Sequence, residues 1–202
     1  GLLTALFGDS VWDTADNQLW PTRGSNTRAR VEWGPDWVLS DNAYVAGHVS
    51  RAEYRSVGPV ILAGRVRAGL ARPVADSVDL LPSKRFFSGG ANTHRGFERR
   101  RLGPEDANGD PVGGEAVGEL SAEVRFPLFW KLEAAAFADV GQVWSEWEAM
   151  RLQDLKYAVG PAIMFLTPVG PLRLDVGFLL SDVPSVQPHD EVQFHILIGN
   201  PY

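Results

Sequence analysis

The chain has 202 residues, with 19 Lys and Arg against 25 Asp and Glu and a net charge of −6. That balance lacks the basic face that phosphate contacts require, so nucleic acid is not an expected partner. There is no cysteine, which excludes a disulfide framework and a thiolate metal site, and a composition 45% apolar and 22% charged is that of a folded protein.

No apolar run reaches the ~18 residues that would mark a transmembrane helix. A transmembrane barrel strand needs only ~9–11 residues with alternate positions apolar, so a membrane location stays open. The opening Gly-Leu-Leu-Thr-Ala-Leu-Phe has neither the basic start nor the cleavage site of a signal peptide. Trp12, Trp20, Trp33, Trp37, Trp130, Trp144 and Trp147 fall near expected strand ends, where interfacial aromatic girdles would place them. Ordinary core or loop aromatics are the alternative.

Glycine and proline punctuate the chain, and the runs between them repeat every two residues rather than every 3.6. The first expected strands are residues 2–12, 27–39, 43–56 and 60–72. The third of these alternates poorly. In the fourth, Arg65 and Arg67 oppose Val66, Ala68 and Leu70. Residues 116–126 alternate most clearly: Ala116, Gly118, Leu120, Ala122, Val124 and Phe126 oppose Val117, Glu119, Ser121, Glu123 and Arg125. A helix would scatter these sets around its axis, whereas a strand separates them. Residues 132–144 set Leu132, Ala134, Ala136, Ala138 and Val140 against Glu133 and Asp139. Residues 155–167 follow. Residues 171–179 then set Leu172, Leu174, Val176 and Phe178 against Arg173, Asp175 and Gly177. The last run sets Val192, Phe194, Ile196 and Ile198 against Glu191, Gln193 and His195.

About nine antiparallel strands result. The fold class is all-β, and two architectures fit the alternation. In a transmembrane barrel the charges face a wet lumen. In a soluble sandwich they face solvent and the apolar side faces a core.

One connection, residues 74–114, is far longer than an ordinary loop, and such loops are usually functional or disordered. It holds Phe86-Phe87-Ser88-Gly89-Gly90, then His94-Arg95-Gly96-Phe97 and the cluster Arg99-Arg100-Arg101. An exposed tip is expected at Glu105-Asp106-Ala107-Asn108-Gly109-Asp110.

These loop residues resemble the inward-folded loop of the BamA/TamA and two-partner-secretion superfamily, whose motif reads Val-Arg-Gly-Phe or Val-Arg-Gly-Tyr. Arg95, Gly96 and Phe97 match it, and His94 departs at the first position. Three further blocks match in the family's order. Phe137-Ala138-Asp139-Val140-Gly141 is similar to its Phe-x-Asp-x-Gly strand motif. Thr167-Pro168-Val169-Gly170-Pro171-Leu172-Arg173-Leu174-Asp175 is similar to its penultimate hairpin. Asp13-Thr14-Ala15-Asp16-Asn17 with Pro21-Thr22-Arg23-Gly24 is similar to a turn in which Ala15 replaces an arginine.

The resemblance implies one partial barrel domain over residues 1–202, supplying about nine C-terminal strands of a 16-stranded barrel, without POTRA domains. It implies that Arg95 reaches into the lumen and pairs with Glu123 and Asp139, locking the loop. It also implies that Phe194, Ile196, Ile198 and Tyr202 form a C-terminal insertion signal. Pro201 cannot donate a ladder hydrogen bond, so pairing should weaken there. The implied location is the bacterial outer membrane. The implied partners are membrane lipid, unfolded outer-membrane or secreted polypeptides, and periplasmic or lipoprotein accessory subunits. The implied work is insertion or translocation of polypeptides at a lateral gate, with no cofactor, no metal and no bond broken. A two-partner-secretion-type transporter, a passive pore and an outer-membrane hydrolase are the competing readings. The four histidines, His48, His94, His189 and His195, sit in no nucleophile motif, although Ser88, His94 and Asp139 can be drawn as a triad.

Overall fold

The computed structural model describes residues 4–35, 43–75, 79–183 and 191–202. Trp37, His189 and the outer parts of the first two expected strands lie outside the described residues. The nine strands are β1 (Leu6–Asp13), β2 (Gly24–Gly34), β3 (Tyr44–Val57), β4 (Val60–Pro73), β5 (Ala116–Phe129), β6 (Leu132–Trp144), β7 (Lys156–Thr167), β8 (Gly170–Leu179) and β9 (Val192–Ile198). They form one sheet in sequence order, each pair antiparallel. Among the described residues β1 and β9 have one ladder neighbour each and do not pair with each other.

The period-two residues form strands because each strand has two different environments to fill. On β5, Glu119, Ser121, Glu123 and Arg125 are buried, while Leu120, Val124 and Phe126 are exposed. On β8, Arg173 and Asp175 are buried while Leu172, Leu174 and Phe178 are exposed. A soluble sandwich would show the reverse, so this inverted burial decides for a barrel wall with an apolar outer face. Alanines 134, 136 and 138 carry that outer face along β6, opposite inward Phe137 and Asp139.

The connections alternate in length. Gly58-Pro59, Trp130-Lys131 and Pro168-Val169 are tight turns at one end, and residues 74–115 and 145–155 are long excursions at the other. In outer-membrane barrels short turns face the periplasm and long loops the outside. The 14–23 connection is the longest at the short-turn end. There β2 starts earlier than the periodicity predicts, because Thr14 N–H donates to Ser25 O at 2.8 Å and Ser25 N–H to Thr14 Oγ1 at 2.9 Å, zipping the turn. Asp16 closes it by accepting from the Thr22 hydroxyl and from the amides of Thr22 and Arg23. Pro127 has no N–H to give the ladder, and the β5–β6 register shifts between Pro127 and Phe129.

The tryptophans divide. Trp12, Trp33, Trp130 and Trp147 are exposed, near the ends of the wall. Trp20 and Trp144 depart from a girdle. Trp20 turns under the wall, with the Arg125 guanidinium 4.3 Å from its ring and Met164 close by. Trp144 is buried and donates to Asp154 at 3.2 Å.

Candidate functional site

The connection between β4 and β5 lies along the charged inner face and is bound by strands β2 through β9. Lys84 and the Tyr44 hydroxyl both donate to Glu32, joining the loop to β2 and β3. On β4, Arg65 donates to the carbonyls of Asn92 and Thr93, and Arg67 to that of Phe87. Ser88 donates to Glu119 of β5, the carboxylate that also holds Arg67 at 3.1 Å. His94 Nε2 donates to the Lys156 carbonyl at 3.1 Å on β7, and His195 Nε2 of β9 donates to the Arg95 carbonyl at 2.9 Å.

Arg95 is at the centre. Nε and one terminal nitrogen donate to the two oxygens of Asp139, both at 2.8 Å, so the fork is bidentate. Its other terminal nitrogen donates to Glu123 at 2.7 Å, and its backbone N–H also donates to Asp139, at 2.9 Å. The guanidinium lies 3.5 Å from the centre of the Phe137 ring. Glu123 in turn accepts from Arg125 Nε at 2.6 Å and from both terminal nitrogens of Arg173, at 2.8 and 2.6 Å. Arg173 also donates to Asp175 at 2.6 Å. All of these side chains are buried, and burial of a charge is tolerable only with such partners.

The motif residues now have individual physical reasons. Phe137, Asp139 and Gly141 are two apart, so all face inward: Phe137 underlies Arg95, Asp139 binds it, and Gly141 leaves room for Glu119. A Cβ on Gly141 would sit 3.1 Å from Glu119 Cγ. A Cβ on Gly96 would meet that of Ala158 at 2.5 Å, so the loop touches β7 only with glycine there. Phe97 is buried with Leu102 and Leu179, edge-on to His94 at 5.1 Å.

The structure thus brings together Arg95, Gly96, Phe97, Glu123, Asp139, Phe137 and Gly141. Phe194, Ile196 and Ile198 project outward on β9. Tyr202, the last residue given to that signal, lies beyond the strand. The strand ends at Ile198, the chain turns inward at Gly199 (φ 111°), and the Tyr202 hydroxyl accepts from Arg95 at 3.0 Å. Sequence reasoning also missed Arg125 and Arg173 as partners of Glu123. Both inward directions follow from alternation, which also sets Arg125 two residues from Glu123 on β5, whereas the meeting of Arg173 on β8 with Glu123 is set by how the wall curves. The drawn triad does not form: Ser88 binds Glu119, His94 binds the Lys156 carbonyl and Asp139 binds Arg95.

A family model described as the Omp85 superfamily domain matches residues 2–201. The chain belongs to the Omp85 superfamily. It is 26% identical to the outer membrane protein assembly factor BamA of Neisseria meningitidis serogroup B, over 93% of this chain and 27% of that protein. It is 28% identical to BamA of Nitratidesulfovibrio vulgaris, over 88% of this chain and 23% of the relative. The sorting and assembly machinery component 50 homolog of Xenopus tropicalis is 29% identical over 79% of this chain. The chain therefore spans about a quarter of the length of these BamA relatives. The crystal structure of BamA from Haemophilus ducreyi lacking POTRA domains 1–3 matches with a TM-score of 0.78 and 19% identity, over 94% of this chain and 41% of that one. That likeness gives the superfamily's barrel fold to the nine strands.

Proposed function

We propose that this chain is part of an outer-membrane barrel that assists the insertion and assembly of other outer-membrane polypeptides. The observation that carries the reading is the outer face of the last strand: on Val192–Ile198, Phe194, Ile196 and Ile198 are 69, 77 and 67% exposed. In this reading β9 is the seam strand, whose edge, when it opens, is a template on which an incoming strand can pair. The work is strand exchange within lipid. Its partners are membrane lipid, unfolded outer-membrane polypeptides and accessory subunits on the periplasmic side.

The loop supports the same reading over a passive pore, because it occupies the inner face that a conducting channel would leave wet. In this account the Arg95 fork, with Glu123 and Asp139, locks the loop and thereby the curvature of the wall. The test is reconstitution in liposomes, followed by the folding rate of a small client barrel. Arg95→Ala is expected to lower that rate by more than it lowers the amount of inserted, folded protein. Wild-type assembly by a normally inserted Arg95→Ala variant would refute the role of the lock.

A further inference from the structure

Beyond β9 the chain does not continue along the wall. Gly199 N–H donates to the Pro171 carbonyl at 2.8 Å as the last ladder-like bond, and then the backbone turns inward. Gly199 has φ 111°, a conformation that L side chains rarely adopt, yet an added Cβ would meet nothing within 4 Å. The glycine therefore serves the turn itself and not a close approach.

The three residues after the turn are each bound to the inner face. Asn200 accepts from Arg125 at 2.8 Å and donates to the Tyr54 hydroxyl at 2.7 Å. The Pro201 carbonyl accepts from Arg65 at 3.2 Å. The Tyr202 ring has the guanidinium carbons of Arg65, Arg95 and Arg125 at 5.3, 5.7 and 5.8 Å from its centre, within cation–π range. Its hydroxyl accepts from Arg95 at 3.0 Å and donates to Glu123 at 3.4 Å. The phenol thus lies beside the direct Arg95–Glu123 contact and bonds to both of its partners. His195 reaches the Arg95 backbone from the same strand.

Strand β9 is consequently held from two directions. One is its ladder with β8, and the other is the loop, through Arg95.

We propose that Tyr202 is a positioning residue that clamps the Arg95 guanidinium between Asp139 and Glu123 and, through the inward turn at Gly199, couples the seating of the β9 edge to the docking of the 74–115 loop. Coupling of this kind is reciprocal. Loosening Tyr202 loosens the loop, and loosening Arg95 loosens the end of β9. The edge that receives a client strand and the loop that lines the lumen then share one equilibrium. The coupling itself rests on contacts within the chain and does not depend on what the edge receives.

Two amides report the two halves of the coupling. Arg95 N–H, bonded to Asp139, reports the loop, and Gly199 N–H, bonded to Pro171, reports the end of β9. Hydrogen exchange is followed by NMR on the full chain in micelles, with the β5 amide of Leu120 as an internal reference for the wall. Tyr202→Phe keeps the ring among the guanidinium groups and removes only the hydroxyl. It should raise Arg95 exchange by about tenfold, the effect of losing one hydrogen bond to a charged group, and leave Gly199 within about threefold. Tyr202→Ala and Gly199→Ala should raise both, and Arg95→Ala should raise Gly199 exchange while Leu120 is unchanged. If the Ala variants fail to insert, Arg95→Lys, which keeps the charge but loses the bidentate fork, takes the place of Arg95→Ala for the Gly199 readout. Unchanged Arg95 exchange in Tyr202→Phe, or unchanged Gly199 exchange in Arg95→Ala, overturns the proposal. Neither result touches the assembly function, which is read from client folding.

Discussion

Removing the Arg95 side chain leaves its two carboxylates in different situations. Glu123 keeps Arg125 and Arg173, both within 2.8 Å, so its charge stays compensated. Asp139 keeps only the Arg95 backbone N–H of the three donors described above, and that bond depends on the loop staying in place. Breaking a buried pair from one side costs about 3–5 kcal/mol, because the survivor is stranded in a low-dielectric setting. If that loss falls on loop docking, the opening equilibrium shifts by about a hundred- to several-thousand-fold. The amides of Gly90 and Phe97, both bonded to the His94 carbonyl, and of Leu102, bonded to that of Ser88, read the opening through hydrogen exchange. Arg95→Ala should raise their exchange by that factor while the β5 and β6 ladders stay protected. Asp139→Asn in the Arg95→Ala background should recover at least about tenfold, since it removes the stranded charge. A rise below tenfold in the single variant, or a double variant as open as the single, would refute the argument that the buried pair holds the loop.

Two further perturbations test the geometry by other physics. Gly177→Ala places a Cβ 2.1 Å from the Arg95 carbonyl oxygen, so the loop must back away from β8, at a cost of about 1–3 kcal/mol. Gly8→Ala, whose Cβ meets nothing, is the neutral comparison. The first should expose the same loop amides and the second should not, and equal protection in both would contradict the close approach. In the 14–23 turn, the Thr22 hydroxyl and the Thr22 and Arg23 amides hold the Asp16 carboxyl down at about 2. A folded pKa below the unfolded one stabilises the turn above the unfolded value and is lost as pH falls through the folded value. Exchange-protected Thr22 and Arg23 amides should therefore open on acidification from about pH 4 towards pH 2. Asp16→Asn should remove this pH dependence, and an unchanged profile in that variant would exclude Asp16 as its source.

The strands were legible because burial on the wall is strictly two-sided, so the alternation at Glu119 to Arg125 or Leu172 to Phe178 survives in the residue types. β3 was harder because Arg51, Glu53 and Arg55 share the outward face with Val45 and Val49, which blurs the pattern. Arg95, Asp139 and Glu123 came together only through the resemblance. Period two says that both acids face inward but not which loop residue they meet. The pairing of Arg173 with Glu123 was hidden for the same reason, since contacts between strands that are not neighbours depend on curvature that no local pattern encodes. The inward course of Tyr202 was not read from the sequence, which placed it only in a C-terminal signal after the alternating strand. The glycine at 199 was the available signal, because a glycine directly before Asn200-Pro201 permits a turn that ends the strand. For Trp20 the alternative to a girdle holds, because the 14–23 connection is long enough to fold its ring against Arg125 and Met164.

The account stands or falls on β9 as a templating edge. The chain contains no cysteine, so single cysteines at residues 194–198 can be oxidised cleanly against single cysteines in the terminal strands of a client barrel during its assembly in membranes. The prediction is a set of disulfides to one client strand in a fixed register, stepping residue for residue along β9. A client that folds at the assisted rate while no position on β9 ever cross-links to it would contradict the account.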